Sequence, residues 1–272
     1  MRQEISRTGS HKTPNIEHAI AAHPVIERRF SFLFALQFLR TRFSHDLRMS
    51  RLRVVAPLLL LSLGGFAPSA SPRMGIARLQ YDGGGDWYAN PSSLPNLLRA
   101  INERTSIHVE PTEGRVTLSD DRLWDFTFLH LTGHGEVKFS DAEVTRLREW
   151  ILRGGFLHVD DNYGIDDSFR REIARVFPDR PLVDVPLTHP IYHVVYDFPK
   201  GVPKIHEHDG KPARGFGIFV GERLAVYYTY SADLGNGWED PGTYSDPPEL
   251  HESALRMGVN LFVYAVTSRP IS

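Results

Sequence analysis

Short runs of apolar residues alternate along this chain with segments in which apolar residues recur every three or four positions. The runs are typical of buried strands, and the spaced segments are typical of helices with one apolar face. Strands are predicted at residues 76–81, 106–110, 126–131 and 156–159. Helices are predicted at residues 92–103, 140–153, 166–176 and 249–266. Ser140 and Glu143 form a capping box at the start of the second helix, and Gly154 ends it.

The order of these elements predicts an α/β fold. Strands that alternate with helices usually pair in parallel, with helices on both faces of the sheet. Residues 215–220 and 224–230 are typical of a hairpin, which predicts an antiparallel extension of the sheet. Residues 74–267 are expected to form one domain, because no Gly/Ser linker, internal repeat or low-complexity tract interrupts them.

The residues before this domain resemble an export signal. Residues 54–66 read VVAPLLLLSLGGF, follow three arginines and precede small residues. This arrangement is typical of a secretory signal, whereas a membrane span needs about 20 apolar residues. We expect residues 49–71 to be a signal peptide or a membrane anchor, with a buried helix as a third interpretation. Residues 1–48 are then a non-structural extension, and the domain is exported, either periplasmic or membrane-anchored.

Charge is distributed unevenly along the chain. Residues 1–53 carry ten Lys and Arg against four Asp and Glu, whereas residues 71–272 carry 21 against 29. The domain therefore lacks the positive charge that nucleic-acid binding requires. The chain contains no cysteine, which excludes disulfides, cysteine-ligated zinc and a thiol nucleophile.

Five motifs together resemble a known family. They read YDGGGDWY at residues 81–88, LHLTGHG at 129–135, GGFLHVDD at 154–161, HPIYH at 189–193 and KIHEH at 204–208. This set, over about residues 74–267, is similar to bacterial domain-of-unknown-function family 4159. The resemblance implies a class I glutamine amidotransferase-like fold, which is a flavodoxin-like, mostly parallel sheet flanked by helices.

The resemblance also implies where a site lies. In amidotransferases a nucleophilic cysteine follows the strand that corresponds to residues 156–159, where this chain has Asp160, Asp161 and Asn162. The resemblance therefore implies a fold and a site location, but not glutamine hydrolysis.

Polar residues follow two of the predicted strands, at the end where open α/β sheets place their ligands. Asp161 and His134 are the catalytic candidates, because a carboxylate or an imidazole can act as a general base. Asp160 and Asn162 are candidates for ligand binding. In the alternative interpretation, the Asp and Asn side chains only satisfy backbone groups of a loop. His130 lies inside a strand and is predicted to be a core histidine.

Aromatic residues beside carboxylates suit sugars and other polyhydroxy ligands. Asp86, Trp87 and Tyr88 follow the first strand, and Trp238 repeats the combination near Glu239. Asp86, Trp87, Tyr88 and Trp238 are the candidates for ligand binding among them. In the alternative interpretation, the aromatic rings anchor loops to the core. Residues 235–240 are predicted to be a polar loop, either a lid over the cleft or an ordinary surface loop.

His206 and His208 lie two residues apart, so on an extended segment they face one side. They are the candidate metal ligands, with a carboxylate from elsewhere as the third; structural hydrogen bonding is the alternative. Lys204 and Glu207 are candidates for ligand binding, and Lys204 could pair with Asp161.

Two functions are consistent with these residues. The first is an exported domain that binds a polar ligand, a glycan or a peptide, in an amidotransferase-like cleft without the nucleophile. The second is a hydrolase that uses Asp/His general-base chemistry, with a divalent metal as the cofactor considered. An interaction-only domain with an exposed aromatic patch is a third interpretation. Membrane association through the N-terminal apolar segment is also compatible with the sequence, and whether the protein is an enzyme stays open.

Overall fold

The computed structural model describes residues 73–268, which form a seven-stranded sheet with helices on both faces. The strands are β1 Arg73–Gln80, β2 Gly114–Thr117, β3 Phe126–Gly133, β4 Phe156–Asp161, β5 Val183–Asp184, β6 Arg214–Val220 and β7 Arg223–Tyr230. The α-helices are α1 Ser93–Arg104, α2 Asp141–Leu152, α3 Asp166–Val176, α4 Leu234–Trp238 and α5 Pro248–Thr267. Short 3-10 helices span Asp121–Asp125 and Pro190–Tyr192.

The strand order across the sheet is β2-β1-β3-β4-β7-β6-β5. The first five strands in this order pair in parallel, and β6 and β5 continue the sheet in the antiparallel sense. The predicted mixed α/β fold with a mostly parallel sheet and an antiparallel extension is confirmed, as is the hairpin of β6 and β7. Four parallel strands, β1, β3, β4 and β7, therefore end side by side at one edge, which we call the carboxyl edge.

Both faces of the sheet are buried, which explains why its strands read as nearly continuous apolar runs. On β4, Phe156 packs with α1 and α5 on one face, and Leu157 packs with α2 and α3 on the other. The alternation follows from the two-residue period of a strand. Where β3 and β4 end, the side chains become polar but stay buried, as at Thr132, Asp160 and Asp161.

The helix before β4 has the predicted ends. The Ser140 hydroxyl accepts a hydrogen bond from Glu143 N at 3.3 Å, and Glu143 Oε2 accepts from Ser140 N at 2.9 Å. Gly154, at φ +104°, turns the chain out of α2, a conformation that glycine adopts without strain. This turn leads into β4, the strand that carries Asp160 and Asp161.

The prediction of a strand at residues 106–110 is wrong, because the second strand is Gly114–Thr117. Asn102 of α1 donates to Val109 O and accepts from Val109 N, both at 3.0 Å. The backbone groups of Val109 are therefore satisfied by a side chain and need no neighbouring strand.

The predicted signal or anchor at residues 49–71 and the extension at residues 1–48 lie outside the described residues. Among residues 73–268, no helix combines the length and apolar character that crossing a membrane would require.

Candidate functional site

The loops after β1 and β3 meet at the carboxyl edge through Asp86 and His134. Asp86 accepts a hydrogen bond from the His134 backbone N–H, and its Oδ2 lies 3.0 Å from His134 Nδ1. The imidazole is about half exposed, at 51%, and the carboxylate is 34% exposed. The pairing orients the imidazole and leaves its Nε2 without a hydrogen bond to any residue of the range 73–268. Two candidate residues 48 positions apart in the chain are thus in contact.

Asp160 is completely buried and holds the segment after β7. Its carboxylate accepts from Thr229 Oγ1 at 2.6 Å, from Gly235 N at 2.6 Å and from Leu234 N at 3.1 Å. Burial raises the pKa of Asp160 to about 6, although these hydrogen bonds oppose the shift. Asp160 therefore positions the start of α4 and has no surface for direct contact with a ligand.

Asp161 and Asn162 link the loop after β4 to its neighbours. Asp161 accepts from Tyr163 N at 3.0 Å and from Ser231 N at 3.3 Å, and burial raises the pKa of its carboxyl. Asn162 Oδ1 accepts from Thr132 Oγ1 at 2.8 Å, whereas its buried Nδ2 has no partner among the described residues. These bonds match the loop-satisfying alternative, and the Asn162 amide keeps donor capacity.

A chain of buried side chains lies behind Asp160. Thr229 donates to Asp160, so its oxygen can accept from Nε2–H of His158, which lies 3.1 Å away. His158 Nδ1 is then the acceptor for Nδ1–H of His130, at 3.1 Å. Burial lowers the pKa of His158 to about 3 and that of His130 well below its ordinary value, so both imidazoles are neutral. His130 lies in the core, as predicted, although its Nε2 has no hydrogen-bond partner among the described residues.

His206 and His208 each pair with a carboxylate. His206 Nδ1 lies 3.4 Å from Asp246 Oδ1, and His208 Nε2 lies 3.1 Å from Asp233 Oδ2. The two imidazole rings meet edge to face, with centroids 4.9 Å apart. Within the described residues, no group of three or more metal-ligating side chains is arranged to hold a metal ion. The observed roles of the two histidines are therefore hydrogen bonding and ring contact.

The Asp233–His208 pair has an unusual balance of protons. Burial raises the pKa of the Asp233 carboxyl to about 9, and the nearby Asp160 carboxylate adds to the effect. Burial lowers the pKa of His208, and His206 beside it acts in the same direction. Near neutral pH the pair therefore keeps one proton on the Asp233 side and carries no net charge.

Lys204 and Glu207 lie near this pair but do not contact Asp161. Lys204 Nζ donates to Lys211 O at 2.7 Å and to Ser231 Oγ at 2.9 Å, and lies 3.7 Å from Glu207. The predicted pairing of Lys204 with Asp161 is wrong, because Ser231 stands between them. Glu207 is largely exposed and caps the Gly210 backbone N–H.

Of the three candidate aromatic residues, Tyr88 is exposed, Trp87 is partly buried against the core, and Trp238 is in the core. Trp87 and Tyr88 meet edge to face with centroids 5.4 Å apart, and Tyr88 is 63% exposed. Trp238 is 1% exposed and donates from Nε1 to Ala254 O at 2.7 Å. Trp238 therefore packs in the core, as its alternative interpretation holds, and offers no ring face to a ligand.

The segment after β7 differs from both interpretations of residues 235–240. Residues 234–238 form the buried helix α4, which packs against α1 and α5, so the segment is neither a lid nor a surface loop. The prediction fails because Gly-Asn-Gly has poor helix propensity, which tertiary packing overrides here.

Backbone strain in the described part of the chain is concentrated at the carboxyl edge. Four non-glycine residues there have left-handed φ values: Asn90 at +57°, Tyr163 at +84°, Ser231 at +51° and Asp233 at +58°. All four lie in the loops after β1, β4 and β7. Such conformations cost free energy and cluster at functional sites.

Electrostatic coupling shows that these loops lie close together. The pKa of His208 responds to the charges of His134, Lys204 and Asp161. Burial raises the pKa of Tyr244, and the charges of Asp233 and Asp86 raise it further. Loops that are far apart in the sequence therefore share one electrostatic environment.

Sequence reasoning missed several residues of this edge: Asp233, Tyr244 and Asp246. Asp233 comes shortly after β7, and its place after a predicted strand could have marked it as a candidate. Nothing local marks Tyr244 or Asp246, because both come from a loop with several polar residues.

A family model described as Domain of unknown function (DUF4159) matches residues 75–266. The chain belongs to this family. A search among curated proteins finds no match. The match covers every element of the carboxyl edge, from β1 to α5, so the site belongs to the DUF4159 domain itself.

The carboxyl edge of this DUF4159 domain offers two kinds of chemistry. Imidazoles oriented by carboxylates can donate and accept hydrogen bonds, and they can transfer protons near neutral pH. Half-exposed aromatic rings add apolar surface beside these polar groups. Both kinds suit a polar ligand that also has an apolar face.

Proposed function

We propose that the carboxyl edge binds a polar ligand, a glycan or a peptide, and that the protein is an exported binding domain. One observation supports this most strongly: three imidazole–carboxyl pairs, two of them with histidines of one segment, lie at the same edge. They are Asp86–His134, Asp246–His206 and Asp233–His208. Pairing fixes the orientation of each ring, so polar atoms are preorganised for a ligand.

A class I glutamine amidotransferase-like, flavodoxin-like fold is part of this proposal. The order β2-β1-β3-β4-β7 of the parallel strands corresponds to the flavodoxin-like order 2-1-3-4-5. In such sheets ligands bind outside the carboxyl ends of the strands, which is where the three pairs lie. The chain contains no cysteine, so the proposal includes no amidotransferase nucleophile.

Export is proposed from the sequence of residues 49–71 alone. The mature N-terminus of protein recovered from the periplasm would test it. A chain that begins after about residue 71 is expected, and a cytoplasmic chain that retains these residues would contradict export.

Binding is tested by removing one imidazole at the edge and one elsewhere. His134→Ala is expected to weaken the binding of whichever member of an oligosaccharide and peptide panel binds the wild type, by about tenfold or more, because a preorganised hydrogen bond is lost. His193, an exposed histidine paired with Asp197, provides the matched control, and His193→Ala should bind normally. Equal affinities for wild type and His134→Ala would contradict the proposal.

A hydrolase is the second candidate, and the Asp86–His134 pair favours it. An imidazole held at Nδ1 by a carboxylate and free at Nε2 has the arrangement of a general base. In this case His134→Ala and Asp161→Asn should abolish turnover of ester or glycoside substrates while folding survives. Unchanged turnover in both variants would exclude this chemistry. A metal-assisted version would need stoichiometric metal in the purified protein.

A further inference from the structure

Tyr163 combines two properties that a structural residue rarely has together. Its φ is +84°, a region in which a bulky side chain is a genuine outlier. Its side chain is nevertheless 50% exposed. A residue that keeps an unfavourable backbone for the sake of packing would be buried, so packing does not explain this conformation.

The surroundings of Tyr163 hold it in place. Asp161 Oδ1 accepts from its backbone N–H at 3.0 Å, and Gly164 after it continues the turn at φ +105°. The phenol ring lies flat against the His208 imidazole, with centroids 5.0 Å apart and an angle of 14° between the planes. Because His208 covers one face, the exposed surface is the opposite face and the ring edge.

We propose that Tyr163 is a ligand-contacting residue of the carboxyl edge and that its open ring face receives a saccharide. This inference rests on the proposed binding function and narrows its ligand class. A sugar ring offers an apolar C–H face for stacking and hydroxyl groups around its perimeter. Tyrosine is well suited to such a partner, since it presents rigid apolar area with a polar tip.

Unpartnered hydrogen-bonding groups in the loops of the carboxyl edge favour a saccharide over a cation. Four buried polar atoms at this edge have no partner among the described residues: Asn90 Nδ2, Asn162 Nδ2, Asp233 Oδ1 and Asp246 Oδ2. Two are amide donors and two are carboxyl oxygens. A hydroxyl group can pair with either kind, whereas an ammonium ligand, which could also stack on the ring, has no acceptor for the amides.

The first measurement needs no ligand. Tyr163→Gly removes the strain because glycine adopts positive φ freely, so the melting temperature of the full-length protein should stay the same or rise by about 2–4 °C. Tyr196→Gly is the matched control: Tyr196 is partly buried, lies outside the carboxyl edge and has an ordinary φ. This control should lower the melting temperature. A comparable loss in Tyr163→Gly would make Tyr163 a structural anchor and overturn the inference.

The second measurement uses cellohexaose, maltohexaose and chitohexaose, with choline as the cationic probe. The wild type and Tyr163→Phe should bind one of the saccharides, and Tyr163→Gly should bind it at least tenfold more weakly. Binding that His134→Ala weakens but Tyr163→Gly does not would leave the binding function standing and overturn the role of Tyr163. Binding of choline alone, or of no saccharide, would overturn the ligand class.

Discussion

Carboxyl groups at the carboxyl edge are close enough to raise one another's pKa. Burial is the main cause of the raised pKa of Asp233, and repulsion from Asp160, Asp161 and Asp246 adds to it. A buried group of this kind keeps its proton rather than remain charged. Asp233 therefore titrates near pH 9 in the folded chain, whereas an ordinary Asp titrates near pH 3.8.

The free energy of unfolding is expected to fall as pH rises from about 7 to 9. Folded Asp233 keeps its proton up to about pH 9, whereas an ordinary Asp loses it near 3.8. The lowered pKa of His208 acts oppositely, but only below its ordinary value of 6.5. Above that pH the folded chain holds one proton more than the unfolded chain, so stability decreases, on the order of 2–3 kcal/mol.

Asp233→Asn should remove this decrease, since an amide keeps the size of the side chain but does not titrate. Urea denaturation at pH 7, 8 and 9 measures the slope directly. Asp121→Asn, which alters an exposed carboxylate paired with Arg146, is the control and should keep the wild-type slope. The same slope in Asp233→Asn would show that another group carries the proton.

Some of these residue properties could be predicted from the sequence, and others could not. The two-residue period of a strand places the side chains of Asp160 and Asp161 on opposite sides of β4, and the two have different partners. The position of His130 within an apolar run predicted its burial. The proton held by Asp233 could not be predicted, because it depends on carboxylates brought together by three different segments.

At the scale of elements, α4 and α5 pack closely against each other beside the carboxyl edge. A Cβ atom at Gly237 would lie 2.4 Å from the Ala254 Cβ. Gly237→Ala should therefore destabilise the protein by about 1–3 kcal/mol through overpacking, despite a gain in helix propensity of about 1 kcal/mol. Chemical denaturation measures the change.

The double variant Gly237→Ala/Ala254→Gly tests the cause of that loss. It returns the space for one methyl group, so it should be more stable than the sum of the two single effects predicts. A coupling of about 0.5–3 kcal/mol is expected for residues in contact. Strict additivity would show that the two helices do not meet at these residues.

Elements with complete local signals could be predicted, and those that depend on tertiary contacts could not. The capping box of Ser140 and Glu143 and the apolar run of β3 both match their sequence interpretation. The short strand β2 and helix α4 were missed. The predicted strand at residues 106–110 does not form, because the Asn102 side chain satisfies the backbone groups of Val109. Helix α4 forms although it contains two glycines, because its burial compensates for their low helix propensity.

At the scale of the whole molecule, the carboxyl edge is assembled from loops spread over most of the domain. Sequence motifs indicated that Asp86 and His134 belong to a site, because both follow predicted strands. They did not indicate that Asp233 and Asp246 complete it, since the packing of α4 against α1 and α5 brings these residues there. The position of each candidate residue relative to a strand could be predicted from the sequence. The residues that it contacts from distant segments could not.

The central claim is that these loops form one binding site, and a map of ligand contacts on the protein tests it most directly. Histidine and tyrosine NMR signals would be followed as the bound saccharide is added. The account predicts shifts at His134, His208 and Tyr163 and none at His193. Shifts confined to the separate groove that Tyr196 and Arg256 line beside α5, with the carboxyl edge unchanged, would contradict it.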